Sequence, residues 1–294
     1  MSTTNFVALI IGNLGKSGEL SLKSMIELNP NRLCYFSDGV GQKWIDSTII
    51  KYKLSKKLLC KHKIKEKIYY ELKIDKQISK HREFGQESFI RLTPLKWLLI
   101  SQTLNKHKSE KYVVFSDLDV VWFSLPNFTT IKRNTIYIQN DFRPKSNKPY
   151  YCTGIMFWPQ TTQMRHEAKN LYTFQKLLIS TGKLIPDEPA FNLYIKQTSF
   201  KSKVTALDKN EYAIGHKTRK ILRENNKFLN KIYAYHANYF IGDKQKTIAM
   251  KSLLSKKRKT AYWIFGLVAI YGIKIGSKIV LNLTNLVNRV RHQI

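Results

Sequence analysis

Residues 111–123, KYVVFSDLDVVWF, decide how the chain is read. Tyr112 to Phe115 form a short run of aromatic and β-branched residues that predicts a buried strand, and Ser116-Asp117-Leu118-Asp119 stands where it ends. In an extended segment residues i and i+2 point to one side, so Asp117 and Asp119 can aim at one point. Two hard oxygen ligands there suit Mg²⁺ or Mn²⁺, which bind through one or two carboxylates and complete their shell with water and substrate phosphate. A solvated acidic turn after a strand has the same local sequence, so the rest of the chain must choose between the two readings. Val120 to Phe123 predicts a strand that continues past the carboxylates before Leu125-Pro126 turns it.

Composition sets the frame. The 294 residues are 43% hydrophobic, enough for a large α/β core and unlike a disordered chain. Fifty-one Lys and Arg against 20 Asp and Glu give a net charge of +31, which points to an anionic partner: nucleic acid, an anionic membrane surface or a phosphate-bearing substrate. Cys34, Cys60 and Cys152 are odd in number and widely spaced, which argues against a disulfide framework and for a reducing compartment. Zinc-type spacing is absent; Cys60-Lys61-His62 has no complementary ligands near it in the sequence, and a metal reading is declined there. The polar start, Met1 to Asn5, has no basic segment or cleavage site of a secretory signal, and a cytoplasmic catalytic domain is expected.

Ahead of the Asp-x-Asp stretch the grammar is strand, turn, helix, strand, which predicts a mostly parallel sheet with crossovers. Phe6 to Ile11 is a first buried strand closed by Gly12-Asn13, Ser21 to Leu28 a helix, and Leu33 to Phe36 a second strand followed by Ser37-Asp38-Gly39. Ligands gather outside the carboxyl ends of such strands, where Asn13, Asp38 and Asp117 fall; Asp38 reads equally as a nucleotide contact or as a structural turn residue. Lys16-Ser17-Gly18 lacks the spacing of a Walker loop. Residues 51–82 hold 12 Lys/Arg and three acids around one strand, Ile68 to Ile74, and read as a basic face. Ser88 to His107 is helical with a break at Pro94, and Lys96 behind it reads either as reaching the site or as a surface lysine.

Beyond the motif, Thr135 to Gln139 is a strand, and Tyr151 to Trp158 joins a β-prone run to Gly154, where backbone can approach a ligand closely. Gln163 to Gly182 is an amphipathic helix, and Pro186-Asp187-Glu188 opens another, with Asp187 as a candidate N-terminal cap. Ala206-Leu207 and Tyr212 to Gly215 suggest a late strand and turn, and Ile232 to Asn238 a strand that ends in His236.

Four separated motifs now stand in order: FSDLDVVWF (115–123), YCTGIMFW (151–158), DEPAFN (187–192) and YHANYFIGDKQK (235–246). In that order the chain resembles the nucleotide-diphospho-sugar transferases of GT-A fold, particularly the group of plant cell-wall xylosyl- and arabinosyltransferases. The resemblance covers residues 5–250, most firmly 84–250. It implies a Rossmann-like α/β domain with a mixed, mostly parallel sheet flanked by helices, and a metal-dependent glycosyltransferase that takes a sugar from a nucleotide-diphosphate donor such as a UDP-sugar. By resemblance, Asp117 and Asp119 are the DxD acids that hold Mn²⁺ or Mg²⁺ and touch the donor's ribose, and His236 is a third metal ligand. Gly242 and Lys246 serve the diphosphate, Cys152-Thr153-Gly154 is the sugar-side loop, and Asp187-Glu188 lies beside the transferred sugar. Cys152 stands where the family commonly has Asn, and Glu188 where it has Gln. The resemblance further implies retention of anomeric configuration; were the enzyme inverting, Asp187 or Glu188 would be the base. A saccharide or lipid-linked acceptor follows, and no nucleic acid is expected.

Residues 251–294 differ in composition. They carry nine of the 51 Lys and Arg and none of the 20 acids, so residues 1–250 keep a net +22. After Lys256-Lys257-Arg258-Lys259 comes an uncharged run, Ala261 to Ile273, then an amphipathic helical pattern, Ile279, Leu283, Leu286 and Val290 against Lys274, Lys278 and Arg289. The run is short for a spanning helix, which predicts a basic amphipathic tail lying in the membrane interface; packing on the domain is the rival. Two rival functions are set aside. A haloacid-dehalogenase-type phosphohydrolase also opens with a strand and Asp-x-Asp, its first Asp a nucleophile, but the downstream acidic pair it needs is missing. A non-enzymatic polyanion or nucleic-acid binder rests on charge alone, without a recognisable binding motif.

Overall fold

The computed structural model describes residues 4–63, 86–126, 132–141, 150–223, 229–238, 240, 242–257 and 270. The first half is built from β1 (Thr4–Ile10), α1 (Gly15–Glu27), β2 (Arg32–Ser37), α2 (Gly39–Tyr52) and β3 (Leu59–Lys61). Then come α3 (Glu87–Leu92), α4 (Leu95–Lys106), β4 (Tyr112–Ser116) and β5 (Val120–Trp122). The second half adds β6 (Ile136–Asn140), β7 (Tyr151–Pro159), α5 (Thr162–Ser180), α6 (Asp187–Gln197), β8 (Val204–Ala206), β9 (Tyr212–Ile214), α7 (Thr218–Arg223), β10 (Ala234–His236) and α8 (Gly242–Lys257). Seven strands form one sheet in the order β3-β2-β1-β4-β7-β6-β8. In it β7 runs antiparallel to both neighbours, and the other four pairings are parallel. A second sheet, β5-β10-β9, stands apart from it.

The apolar runs explain the layers. Successive side chains of a strand alternate between faces, so an uninterrupted apolar strand feeds two cores. Val7, Cys34, Val113, Phe115, Met156 and Trp158 face one way, into a core shared with Trp97 and Leu99 of α4, Leu171 of α5 and Phe191 of α6. Phe6, Ala8, Leu33, Tyr35, Val114 and Phe157 face the other, against Leu22 of α1, Trp44 of α2 and Trp122 of β5. The small sheet has a third core, in which Val121 and Tyr235 pack on Leu222 of α7 and Met250 and Leu253 of α8. Trp97 stacks on Phe191 at 5.8 Å, and its indole donates to Gln175 Oε1. Pro94 stands between α3 and α4, where it has no N–H to donate to a continuous helical ladder.

Three expectations change. The strand at Tyr112 does not run on through the carboxylates: Val120 N donates to Asp117 O at 3.3 Å, closing a turn, and β5 begins in the other sheet, where it pairs with β10. Helix α1 begins at Gly15, ahead of Ser21, because its cap is not local. Leu14 supplies no side-chain cap, and the Asp243 carboxylate from α8 accepts hydrogen bonds from Lys16 N (3.1 Å), Ser17 N (2.7 Å) and Ser17 Oγ (2.7 Å). Gly15, at φ +64°, has no room for a side chain, since a Cβ would fall 2.6 Å from Asp243 Cγ.

Thirdly, α8 runs through residue 250, the boundary expected from composition. Ser252 and Leu253 are buried, and the Lys256 ammonium, first counted with the basic tail, is buried against α7, donating to Ile221 O and Leu222 O. It occupies the unsatisfied carbonyls near a helix end, where a cation is favoured. Ile270 is buried in the third core; residues 258–269 and 271–294, the expected strand at Ile68 to Ile74 and the rest of residues 64–85 lie outside the described residues. Asp243→Ala strips α1 of its distant cap and should lower stability by about 1–2 kcal/mol in urea unfolding at unchanged m; an unmoved midpoint would mean the cap carries no energy.

Candidate active site

The Asp117-Leu118-Asp119 turn is the three-residue bridge between the two sheets, and backbone bonds hold both sides of it. Asp117 N donates to Gly154 O on β7 at 2.8 Å, and Ala237 N, just past β10, donates to Asp119 O at 2.9 Å. The turn, rather than an extended strand, brings the carboxylates together. Asp117, Asp119 and His236 place one ligand atom each within 4.8 Å of one another.

His236 is oriented by a residue the sequence did not single out. Gln139, fully buried at the end of β6, donates from its amide nitrogen to Tyr212 O (3.4 Å) and Ala213 O (3.3 Å). That orientation turns its Oε1 toward His236 Nδ1, 2.8 Å away, so Nδ1 carries the proton and donates. Nε2 then faces Asp119 Oδ1 at 3.0 Å. A lone pair and a carboxylate at that distance repel unless a cation lies between or beside them, either a proton on Nε2 or a metal ion. The donor set therefore fits a divalent ion held by two carboxylates and one imidazole with a fixed second shell. Gly154 is required for the same reason: a Cβ there would fall 2.1 Å from His236 Cε1. The glycine expected to admit a ligand admits the imidazole ring.

Charge balance organises the rest. Lys246, on the first turns of α8, places Nζ 2.6 Å from Asp119 Oδ2. Burial opposes ionisation of Asp119, but His236 and Lys246 outweigh it and hold its carboxyl well below the usual carboxylate range. Asp117 is pushed up by burial, with Lys96 opposing the rise. Lys96 is 4% exposed, so it is not a surface lysine. Its ammonium lies 3.3 Å from Asp117 Oδ1, pairs with Asp187 Oδ2 and sits 4.5 Å from the centre of the Phe115 ring. Burial works against its charge; Asp117 and Asp187 prevail and hold it above the usual lysine range. Asp187 is the first residue of α6 but is not its cap: Pro186 occupies that position, and the Asp187 carboxylate accepts instead from Thr153 Oγ1 and Lys96. Glu188 lies in the same acidic neighbourhood. Its carboxyl is pushed up to about 7, by burial first and by Asp141 and Asp187 next, while a hydrogen bond from Cys152 opposes the rise.

Asn13, Asp38 and Gly242 enter differently. Asn13 Oδ1 accepts from Gly15 N at 3.0 Å within its own turn. Asp38 caps α2, its Oδ1 accepting from Gly41 N at 2.6 Å and from Gly12 N at 2.9 Å, so the turn reading of Asp38 has the geometry behind it. It ties the β1 loop to the start of α2, where a Cβ on Gly41 would strike Ile10 O at 2.2 Å. Gly242 starts α8 at φ +75°, one turn ahead of Lys246.

The match of residues 55–250 to a family model, together with the fold, makes the chain a glycosyltransferase that uses a nucleotide sugar. Residues 55–250 match the family model described as nucleotide-diphospho-sugar transferase, and the chain belongs to that family. No curated protein matches the sequence. Among solved structures, galactosyltransferase LgtC in complex with donor and acceptor sugar analogues is similar at 10% identity and a TM-score of 0.52, over 84% of this chain and 95% of that one. An active-site mutant of LgtC is similar at 11% identity and a TM-score of 0.51, over 81% and 88%. Mouse xyloside xylosyltransferase 1, apo form, aligns at 12% identity and a TM-score of 0.49, over 80% and 98%.

Two predictions follow from this geometry. Gln139→Met removes the acceptor that fixes His236 and should weaken Mn²⁺ binding about 10- to 100-fold by calorimetry; wild-type affinity in that variant would show that the imidazole needs no such partner. The folded value of Glu188 lies above an ordinary glutamate's, so its favourable contribution is full below about pH 4.5 and is lost as pH rises through about 7. Glu188→Gln should therefore match wild type in stability near about pH 5 and exceed it by about 2 kcal/mol near about pH 8, a figure reduced for partial solvent access. A stability difference independent of pH would contradict that assignment.

Proposed function

We propose that the enzyme is metal-dependent, with Asp117, Asp119 and His236 holding Mg²⁺ or Mn²⁺, and that it moves a sugar from a UDP-sugar to a saccharide or lipid-linked acceptor with retention of configuration. The observation that carries the reading is the convergence of those three ligand atoms within 4.8 Å, with Gln139 fixing the imidazole. Such an ion, when bound, supplies Lewis acidity that neutralises the departing diphosphate, worth several kcal/mol. Lys246 is the ammonium beside the same carboxylate and adds positive charge on the diphosphate side. Lys96 and Thr153 hold Asp187 in one orientation, as an acceptor for a sugar hydroxyl rather than a base, which suits a retaining reaction that needs no strong base. Glu188, with its proton held near neutrality beside Cys152, stands where the sugar-side residues meet and contributes to sugar choice.

A thermal-shift panel of nucleotide sugars with and without Mn²⁺ tests the reading. One donor should raise the Tm only with metal, Asp119→Asn should abolish that shift, and turnover in the variant should fall more than about 100-fold, as loss of several kcal/mol requires. A donor shift of equal size in a chelator would refute metal dependence, and an inverted anomeric linkage in the product's NMR spectrum would refute retention.

A further inference from the structure

At the β3 edge of the large sheet, with β2 and β1 between it and β4, four metal-ligating side chains meet. Strands β2 and β3 are parallel neighbours in which Cys34 and Cys60 are register partners, so both thiols point to the same side of the sheet. His62 follows β3 directly, and His107 ends α4, the helix that covers this face. One ligand atom from each of Cys34, Cys60, His62 and His107 lies within 4.8 Å of the others. The sequence expectation that nothing complementary stands near Cys60-Lys61-His62 is therefore overturned: the partners come from residues 34 and 107, too distant for a zinc spacing to show.

We propose that Cys34, Cys60, His62 and His107 form a structural Zn²⁺ site, separate from the Asp117-Asp119-His236 cluster. Two sulfurs and two imidazole nitrogens are the donor set zinc takes in closed four-coordinate sites. The spacing fits: metal bonds of about 2.3 Å to sulfur and 2.0–2.1 Å to nitrogen place a tetrahedral S···N edge near about 3.6 Å, and Cys60 Sγ lies 3.6 Å from His107 Nε2. Burial fits too, with Cys34 and His62 buried and Cys60 and His107 partly so, which leaves little opening for a substrate. A second shell is in place, as zinc histidines require. Thr103 Oγ1 lies 3.4 Å from His62 Nε2 and also donates to the Cys34 sulfur, while the rings of His62 and Phe36 meet edge to face at 6.3 Å.

The site has a consequence for the scaffold. Strand β3 is a three-residue edge strand whose side chains are only half-buried, and short edges of this kind are weakly held. Four bonds to one ion clamp it to β2 and to the C-terminal end of α4. The opposite end of α4 carries Lys96 into the active site, about 16 Å away along the helix axis. The clamp thereby fixes the helix that positions Lys96.

The test is metal analysis of the full chain, purified without chelator and then given one equivalent of Zn²⁺. About one tightly held zinc per chain is expected in wild type and in Asp119→Asn, with that zinc lost in Cys60→Ser and in His107→Ala. The second variant alters a partly exposed residue, so it guards against a Cys60→Ser chain that fails to fold. Co²⁺ in place of zinc should give the thiolate charge-transfer and tetrahedral ligand-field bands in wild type, a readout independent of any variant. The proposal is overturned if wild type retains no zinc, if Cys34 and Cys60 prove to be joined by a disulfide in the fresh protein, or if zinc is lost in Asp119→Asn and retained in His107→Ala.

Discussion

The junction of the two sheets depends on holding three carboxylates side by side, Asp187 buried and Asp117 and Asp119 partly open to water. Asp117, Asp119 and Asp187 sit under the junction of two sheets, and an ion taken out of water costs several kcal/mol unless opposite charge and hydrogen bonds surround it. Lys96 from α4 lies between Asp117 and Asp187, and Lys246 from α8 pairs with Asp119 beside His236 from β10. No neighbour in sequence supplies any of these partners. Each carboxylate therefore binds together elements that the chain threads far apart, and the cluster works as a fastening as much as a site.

The same constraint explains what could be read in advance. Apolar strands declare themselves locally, because burial on both faces demands continuous β-branched and aromatic runs, as in Val113 to Phe115 and Ile155 to Trp158. Motif order carried the family, and the Asp117-Asp119 pair and His236 were visible as chemistry at strand ends. What escaped was set by contacts over long distances in sequence. Asp243 starts α1 from more than 200 residues away. Gln139 looked like the last residue of an ordinary strand, and only the carbonyls of Tyr212 and Ala213 decide which way its amide turns. The break between β4 and β5 was hidden because both flanks are equally apolar; pairing with β10, not local propensity, takes Val120 into the second sheet.

Glycine positions show how sequence signals can be right in type and wrong in partner. Gly154 does mark a close approach, as a glycine in a β-prone run suggests, but the atoms that approach are those of His236, and through them the glycine sets the depth of the imidazole. Gly15, which the sequence reading passed over, starts α1, and the carboxylate it accommodates belongs to α8. In both cases the missing Cβ makes room for a side chain that arrives late in the sequence.

Helix α8 draws these strands of argument together. Asp243 and Lys246 are three residues apart, hence on one face, and they bind two different targets, the N-terminus of α1 and the carboxylate of Asp119. Further along the same helix, Met250 and Leu253 fill the third core and Lys256 closes the end of α7. A chain ending at 250 would keep Asp243, Lys246 and Met250 but lose Leu253 from the third core and the Lys256 contact with α7. The lysine's helix is therefore anchored on both sides of residue 250, by Asp243 and Met250 before it and by Leu253 and Lys256 after it.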